Sequence, residues 1–366
     1  MVKVGVFLGY DVSLNIDKWK EEYKQNKVND TLPYGYDRAN SRDINVEYIK
    51  LDQIEKKIFF NEYLQRAYLY LIKLPILLFK YDVIWTHYDR DGLFISKLRN
   101  IPLLRKFMAK QIANFVWLID LSKDYSYSKI KNISKLLNRI DKIVYHSPSE
   151  TQKFIDIFKL NAKKLKCVHF GINFNAYSDK KLMIKPKLLR KDLKDYVLSV
   201  GTDVHRDIEL LDKLAYNMQD KTFILCSCNP KYLNKNYKSD NLKVISANLC
   251  EMRYLYKYCS CVIIPLKYNN HVSGCTTLLE AAAMKKPVVI SDIPGIRDYV
   301  LNNKTGIITP IGDVNSFENA ILKLVNDKNY AQILGNNAYK YTNNRFTTEN
   351  WALEHAKISK DILNIK

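Results

Sequence analysis

The densest group of chemically useful residues lies in a polar loop that leads into a helix. The loop contains Lys267, His271, Ser273 and Gly274. A helical pattern begins near Cys275–Thr276, and free backbone N–H groups at a helix start, together with the helix dipole, bind diphosphate well. Glu280, about one turn further, offers a carboxylate to sugar hydroxyls, as an acidic residue does for ribose in dinucleotide folds. The alternative is a plain strand–loop–helix unit with a capping Thr276 and a surface Glu280.

Buried strands must position this loop. Apolar runs separated by helical patterns predict parallel sheets with helices on both faces. The predicted strands are 2–8, 45–49, 81–86, 113–119, 142–146, 166–169, 196–200, 222–226, 242–246, 261–265, 287–290 and 306–308. A long apolar helical stretch covers 58–80 and is interrupted near Pro75. We therefore predict an α/β protein built from two Rossmann-like domains.

The length agrees with that organisation, because 366 residues suffice for two domains. We predict a first domain over 1–175, a basic linker over 176–194, a second domain over 195–345 and a C-terminal helix over 346–366. A hydrophobic content of 47% excludes a mostly disordered chain. No apolar run approaches the roughly 18 residues that a membrane span needs. The first residues predict a strand and a turn, and not a secretory signal.

The seven cysteines indicate a reducing compartment. They begin only at Cys167 and are odd in number, which does not suit a disulfide framework in a chain of this size. We therefore predict a cytoplasmic protein. Two pairs, Cys226/Cys228 and Cys259/Cys261, are separated by a single residue, whereas structural zinc spacings have two to four. Core packing is favoured over metal binding.

Positive charge is concentrated in one part of the chain. The net charge is +20, and residues 101–200 carry 21 basic and 8 acidic side chains. In stretch 128–142 the apolar residues have helical spacing, and Lys131, Lys135 and Arg139 lie between them. This pattern suits the surface of an anionic membrane. An ordinary solvated face is the alternative. Zinc-finger spacings, RNP-like runs and Arg-rich stretches are missing from the sequence, so we predict no nucleic-acid partner.

Stretch 273–289, SGCTTLLEAAAMKKPVV, resembles the donor-binding signature of family 4 retaining glycosyltransferases. Stretches 196–215, 252–266 and 305–327 resemble the neighbouring parts of that family, in the family's order. The resemblance is strong over about 195–330. It is weaker over 1–175, where VKVGVFLGY, YDVIWTH and VHFGINF fit in position and residue type. It implies the GT-B fold, with two Rossmann-like domains facing across a cleft and the C-terminal helix packing back on the first domain.

The resemblance also implies roles for single residues in the donor site. The donor diphosphate is held by the amides of Ser273, Gly274, Cys275, Thr276 and Thr277. Glu280 binds the ribose, Arg206 neutralises the phosphates, and Lys267 and His271 assist. Gly9 lets the acceptor-side backbone come close to the phosphate. Loops near 227–230 and 247–249 recognise the base.

This sequence departs from the family pattern at two positions. The first Glu of the family's pair is replaced by Val272, which removes a carboxylate that meets the donor sugar. The common Arg after the glycine turn is Thr202, which leaves Arg206 as the main cationic contact.

Two first-domain residues are candidates for catalysis. Asp120 follows predicted strand 113–119, and His87 follows strand 81–86. Related enzymes carry a polar catalytic residue at about the place of Asp120. The expected reaction is a retaining hexosyl transfer from a nucleotide sugar to a glycan or lipid-linked acceptor, without metal or cofactor. The expected location is the inner face of a membrane, where the protein is peripheral.

Three other hypotheses stay open. A metal-dependent GT-A glycosyltransferase is suggested by Asp89 and Asp91, an Asp-x-Asp pair after a strand, which could hold Mn²⁺ on a diphosphate. A nucleotide-sugar epimerase shares the fold. A basic membrane or nucleic-acid adaptor without catalysis belongs to a different class. The nucleotide base, the sugar and the acceptor are not fixed by the sequence.

Overall fold

The computed structural model describes residues 1–100, 105–178, 181–189 and 193–365. They form two compact units. The first comprises Met1–Glu21, Thr31–His169 and Thr348–Lys366, and the second comprises Glu22–Asp30 and Phe170–Thr347. Of the predicted linker 176–194, residues 179–180 and 190–192 lie outside the described part.

The first unit is built on a six-stranded parallel sheet with strand order β2-β1-β3-β4-β5-β6. The strands are β1 Val2–Phe7, β2 Ile44–Tyr48, β3 Val83–Thr86, β4 Lys110–Asn114, β5 Lys142–Tyr145 and β6 Leu165–Cys167. In register, Val4 of β1 lies between Val46 of β2 and Val83 of β3. Before His169, the described helices of this unit are α1 Gly9–Lys24, α2 Gln53–Ile58, α3 Glu62–Tyr68, α4 Leu74–Leu77, α5 Asp89–Leu98, α6 Leu118–Leu121, α7 Tyr127–Leu137 and α8 Thr151–Phe158.

The predicted helix over 58–80 differs in detail from the observed one. The chain passes from α3 into α4 through a single π-helical stretch, Leu69–Lys73. Pro75 lies in the first turn of α4.

The second unit has another six-stranded parallel sheet, with order β12-β11-β10-β7-β8-β9. Its strands are β7 Tyr196–Val200, β8 Phe223–Cys226, β9 Leu242–Ile245, β10 Cys259–Ile264, β11 Val288–Ser291 and β12 Ile307–Thr309. Its described helices are α9 Ile208–Asn217, α10 Pro230–Leu233, α11 Leu249–Tyr258, α12 Cys275–Ala283, α13 Val314–Asn326 and α14 Lys328–Thr342.

This second sheet is buried on both faces. Along β10, Val262 and Ile264 belong to one hydrophobic cluster, while Cys261 and Ile263 belong to the other. Successive side chains point to opposite faces of a strand, so an unbroken apolar run is what a doubly covered sheet requires. The chain runs outward in both directions from the β7–β10 pair. The ends of these two strands therefore form the topological switch point, where such sheets bind ligands.

The last helix, α15 Thr348–Leu363, belongs to the first unit, as predicted. Trp85 Nε1 of β3 donates to Ser359 Oγ at 2.9 Å. His355 Nε2 lies 3.3 Å from Asn114 Oδ1 at the end of β4. In the described part of the chain, no helix is both long and apolar enough to cross a bilayer.

Candidate donor-binding site

A cavity of about 430 Å³ opens at the carboxyl ends of β7, β8 and β9 in the second unit. It is lined by the turn after β7, by the start of α12 and by the loops that follow β8 and β9. Ser227 and Cys228 after β8, and Ser246 and Ala247 after β9, are among its lining residues. The cavity therefore lies at the switch point of the sheet.

The start of α12 supplies backbone donors to this cavity. Gly274 precedes the helix with φ 81°, in the left-handed region. A Cβ at this position would lie 2.7 Å from Ile264 Cγ2, so glycine is required sterically as well. The first N–H to bond along the helix is that of Leu278, which donates to the Gly274 carbonyl at 2.9 Å. The earlier amides point out of the helix end.

Two of the five predicted diphosphate-binding amides are already bonded within the loop. Ser273 N–H donates to the His271 carbonyl at 2.7 Å, and Cys275 N–H donates to the Val272 carbonyl at 3.3 Å. The amides of Gly274, Thr276 and Thr277 have no backbone carbonyl acceptor among the described residues. These three are the donors that remain for an anion.

Arg206 lies beside the helix start, in the turn after β7. Its side chain is buried, and Nη2 donates to Thr277 Oγ1 at 3.0 Å. The Nε and Nη1 groups have no hydrogen-bond partner in the described part of the chain. Burial lowers the pKa of this guanidinium, and the nearby Asp203 carboxylate opposes that shift. A buried cation with two unsatisfied N–H groups is costly by itself, and a bound anion would satisfy it.

Two glycines make room for this guanidinium. A Cβ on Gly201 would lie 1.9 Å from Arg206 Nε, and one on Gly274 would lie 2.9 Å from Nη1. Both distances are shorter than any real carbon contact. The glycine turn after β7 and the glycine before α12 therefore leave the space that the Arg206 side chain occupies beside the start of α12.

Glu280 lines the same cavity, and two tyrosines fix its carboxylate. Tyr177 Oη donates to Oε1 at 2.6 Å and Tyr256 Oη donates to Oε2 at 2.7 Å. Burial raises the pKa of Glu280, while the two hydroxyls act in the opposite direction. Each oxygen retains a lone pair for a further donor. Sequence reasoning missed both tyrosines, because contacts across 103 and 24 residues leave no spacing signal.

Asp203 is an acidic residue of the cavity that the sequence did not suggest. Its carboxylate accepts a hydrogen bond from the Ser273 hydroxyl, and also from His205 N–H at 2.6 Å. The Ser273 hydroxyl is therefore already hydrogen-bonded within the protein. The carboxylate also ties the turn after β7 to the loop before α12.

Lys267 and His271 are not among the residues that line the cavity. Lys267 Nζ pairs with Glu209 Oε2 at 3.0 Å, and this carboxylate raises the pKa of the lysine. His271 is buried, with its ring centre 4.9 Å from that of His205. Their predicted contact with the donor stays a prediction.

Asp120 does not stand at a strand end, so that part of the sequence analysis was wrong. Strand β4 ends at Asn114, and Asp120 lies in the short helix α6. The chain turns early because the Asp89 carboxylate accepts the amides of Val116 and Trp117, at 2.9 and 3.1 Å. Asp120 is buried, with Lys123 Nζ 3.3 Å from its Oδ1.

His87 follows β3, as predicted, and is buried. Its Nδ1 lies 2.9 Å from Tyr36 Oη, and its ring stacks on Tyr34 at 3.6 Å. Burial, with His146 and His355 nearby, holds the pKa of His87 well below its usual value. The imidazole is therefore neutral at neutral pH.

Gly9 begins α1 with φ 78°. A Cβ there would lie 3.1 Å from Asp91 Oδ2. The Asp91 side chain is buried, and burial raises its pKa to about 6.

The Asp-x-Asp pair does not form a metal cluster in the described residues. Asp89 caps the turn after β4, and Asp91 points at Gly9. The described part of the chain contains no group of three or more His, Cys, Asp or Glu side chains arranged for a metal. The two parallel sheets also contradict the GT-A alternative, which does not account for a second Rossmann-like unit.

The cysteines are all free thiols. Cys226, Cys259 and Cys261 are buried, and burial raises the pKa of Cys259 to about 11. The predicted packing in the core is therefore confirmed for these three cysteines. Cys228 is exposed at the donor cavity, in contrast to the predicted core position.

Comparison with known proteins identifies the second unit. Residues 203–341 match the family model described as glycosyl transferases group 1. The second unit therefore carries a glycosyl transferases group 1 domain. The match agrees with the predicted family over the second unit, and it includes Asp203, Arg206 and the whole of α12.

A curated relative of this domain is the capsular polysaccharide biosynthesis glycosyltransferase CapM of Staphylococcus aureus. It is 34% identical over 71 residues, which are 19% of each chain. The chain thus matches about a fifth of the length of that relative.

Two solved structures share the fold. Sucrose-phosphate synthase from Thermosynechococcus elongatus has a TM-score of 0.70 at 16% identity, with 100% of each chain covered. Anabaena HepE in complex with UDP-glucose has a TM-score of 0.69 at 16% identity, with 98% of this chain and 100% of that one covered. The predicted GT-B fold is confirmed over the full chain.

Proposed function

We propose that this chain is a retaining, metal-independent glycosyltransferase. It moves a hexosyl group from a nucleotide sugar to a glycan or lipid-linked acceptor. The observation that carries the proposal is the buried Arg206, whose Nε and Nη1 lack partners beside the free amides of α12. This arrangement suits the diphosphate of a donor, and the fold is shared with HepE in complex with UDP-glucose.

The same groups would stabilise the leaving nucleotide. When the bond between the sugar C1 and the phosphate oxygen breaks, negative charge develops on that oxygen. Fixed amide dipoles and a guanidinium meet this charge without reorganisation, and one such contact is worth about 3–4 kcal/mol. Glu280 would hold the ribose hydroxyls on its remaining lone pairs, and the small residues after β8 and β9 would surround the base.

Retention is proposed through attack on the same face of the sugar. The acceptor oxygen bonds to C1 as the phosphate leaves, and the acceptor proton passes to the departing phosphate oxygen. Two features support the absence of an enzyme nucleophile. Val272, in place of the family's first Glu, is buried in the core, and the Asp203 carboxylate is bonded by Ser273.

Asp120 and His87 are proposed to act on the acceptor side. A neutral His87 can accept a proton but holds it weakly, because its pKa is low. Asp120, with Lys123 Nζ 3.3 Å from its Oδ1, is the stronger candidate for orienting the acceptor hydroxyl.

The acceptor is proposed to be linked to a membrane lipid at the cytoplasmic face. The 21 basic against 8 acidic residues within 101–200 support an anionic surface as partner. Seven free thiols support a reducing compartment.

A panel of nucleotide sugars, each scored for hydrolysis and for thermal stabilisation in EDTA, tests the function. One or more sugar nucleotides should be hydrolysed slowly and should raise the melting temperature. An adaptor without catalysis would hydrolyse none of them, and an epimerase would return an altered sugar nucleotide instead of free sugar.

A further inference from the structure

Residues 53–80 of the first unit, here called the apolar segment, expose an unusual amount of hydrophobic surface. Eight of the 26 large exposed hydrophobic side chains of the described chain lie within it: Ile54, Ile58, Phe60, Tyr63, Leu71, Ile72, Ile76 and Phe79. Phe60 is 78% exposed and Leu71 is 70% exposed. Isolated exposed apolar residues are ordinary, but a group of this size in 28 residues marks an interaction surface.

The segment is apolar on two opposite sides. Leu69, Leu74 and Leu78 face inward and belong to the core of the first unit. Ile72 and Ile76, one turn apart, face outward. A helix that is apolar all round needs an apolar environment on its outer side as well as its inner side.

The basic helix α7 lacks such a surface, although its sequence has the same amphipathic pattern. Ile133 and Leu137 are buried, and Ile130 packs against the same cluster. The apolar stripe of α7 is therefore buried in the core of the first unit. On its outer side α7 carries charges such as Lys131 and Lys135, and Tyr127 is its one large exposed apolar side chain.

The apolar segment carries five basic and two acidic side chains. Its two acids are neutralised locally: Lys73 Nζ lies 2.7 Å from Glu55 Oε1, and Arg66 Nη2 lies 2.9 Å from Glu62 Oε1. Lys57 is exposed and has no ion-pair partner among the described residues.

A second basic stretch lies against the same surface. Ala109 N–H donates to the Leu78 carbonyl at 2.6 Å, which brings the end of the preceding turn to the segment. In that turn Phe107 is 66% exposed, and Lys106 Nζ lies 4.8 Å from its ring centre. Lys80 and Lys106 are both exposed, and Lys80 Nζ lies 3.9 Å from Glu47 Oε2. An apolar centre with a cationic rim matches the boundary between acyl chains and anionic headgroups.

We propose that the apolar segment inserts into the interface of an anionic bilayer, with Lys57, Lys80 and Lys106 at the headgroups. This inference rests on the proposed function, because a lipid-linked acceptor requires the enzyme at a membrane. It changes the expected contact from the basic helix α7 to the apolar segment. Because apolar insertion is not screened by ions, vesicle binding should persist at a salt concentration that would abolish a purely electrostatic contact.

Co-sedimentation of the full chain with phosphatidylglycerol–phosphatidylcholine vesicles tests the proposal. The triple variant Ile72→Gln, Ile76→Gln, Phe79→Gln should bind vesicles at least tenfold more weakly than the wild type. A double variant, Phe60→Gln with Leu71→Gln, should weaken binding in the same direction. The matched control is Leu322→Gln, Ile333→Gln, Leu353→Gln, which replaces three exposed aliphatic residues outside the segment and should bind as the wild type does.

Charge reversal separates the two surfaces. Lys131→Glu, Lys135→Glu, Arg139→Glu should leave most of the binding at about 0.5 M salt, where surface charges are screened within a few ångströms. Unchanged vesicle binding by a folded triple or double variant would overturn the proposal. Loss of self-association in sedimentation, with vesicle binding intact, would assign the surface to a second copy of the chain and would overturn it too.

UDP titration and donor hydrolysis on the same preparations keep the two proposals apart. Both should be unchanged in the vesicle-binding variants, which also shows that these variants are folded. A protein that binds vesicles through the apolar segment but binds no nucleotide would refute the proposed function and leave this inference standing.

Discussion

The two units place a glycine and a helix start at the carboxyl edge of a parallel sheet, but with opposite charge beside them. In the second unit, Gly274 leads into α12 with φ 81° and faces the buried guanidinium of Arg206. In the first unit, Gly9 opens α1 with φ 78° and faces the buried carboxylate of Asp91. Both charged groups have atoms without a hydrogen-bond partner among the described residues.

In both units a helix start offers backbone N–H groups to an anion. The charge of one neighbouring side chain then decides whether an anion is favoured there. A helix start attracts anions in both units. Arg206 adds to that attraction, and Asp91 opposes it when ionised. An ionised Asp91 would oppose a phosphate beside Gly9, whose contact with the donor stays a prediction. Of the three described atoms nearest to a Cβ placed on Gly274, none belongs to a carboxylate.

The largest effect is expected from removing the cation. Arg206→Ala should lower kcat/KM by more than tenfold, toward the roughly hundredfold that loss of one preorganised donor costs. The matched control is Arg297→Ala, an exposed arginine that pairs with Asp292 at 2.6 Å and should leave kcat/KM unchanged. Normal kinetics in a folded Arg206→Ala protein would show that Arg206 does not contact the donor. The contrast between the two helix starts would then have no functional meaning.

Asp91→Asn tests the other half of the comparison through stability. A carboxyl whose pKa is raised from 3.8 to about 6 favours the fold in its protonated form. That contribution is complete below about pH 4 and is lost as the pH rises through about 6, at a cost of about 2–3 kcal/mol. Denaturant unfolding should show the wild type losing stability relative to Asp91→Asn between about pH 4 and 7. Parallel pH profiles would mean that Asp91 ionises normally.

Glu280→Gln compares a satisfied buried carboxylate with the unsatisfied Asp91. The variant should bind a nucleoside diphosphate about 1.5–3 kcal/mol more weakly, because charge-assisted bonds to the ribose are lost. Calorimetry with UDP and with its 2′-deoxy analogue measures this. The loss should be smaller for the deoxy analogue, and equal affinities for wild type and variant would place Glu280 outside the ribose contact.

Tyr256→Phe should weaken UDP binding by about 0.5–1.5 kcal/mol, which is less than the effect of Glu280→Gln. It frees one oxygen of Glu280 without removing the charge. Tyr254→Phe on the same helix is the control, since its ring packs on Tyr258 at 4.5 Å. The UDP affinity of Tyr256→Phe should fall relative to this control. If both variants bind UDP equally, the tyrosine does not position Glu280.

The smallest expected effect is that of chelation. Amides and a guanidinium need no metal to hold a diphosphate, so turnover should be unchanged in EDTA. Loss of turnover that Mn²⁺ restores would show that the charge of Arg206 is not sufficient.

The sequence was most informative where the contacts are local. Eleven of the twelve predicted strands agree with the observed strands to within about two residues, and α12 begins at Cys275 as the small residues indicated. Local apolar periodicity and helix-start chemistry are sufficient for such features.

The failures come from contacts between distant residues. Strand 113–119 was predicted too long because the carboxylate that turns the chain, Asp89, lies 27 residues away from Val116. The same limit hid the bonds of Tyr177 and Tyr256 to Glu280. It also hid the fact that the apolar stripe of α7 is buried whereas that of the apolar segment is exposed, since periodicity does not tell what covers a face.

A nucleoside diphosphate is predicted to bind between Arg206 and the start of α12. Calorimetric titration of UDP, GDP and ADP into the wild type and into Arg206→Ala, all in EDTA, tests it most directly. At least one diphosphate should bind the wild type in a 1:1 ratio and bind Arg206→Ala at least tenfold more weakly. No binding by any of the three, or equal affinity in the two proteins, would contradict the claim.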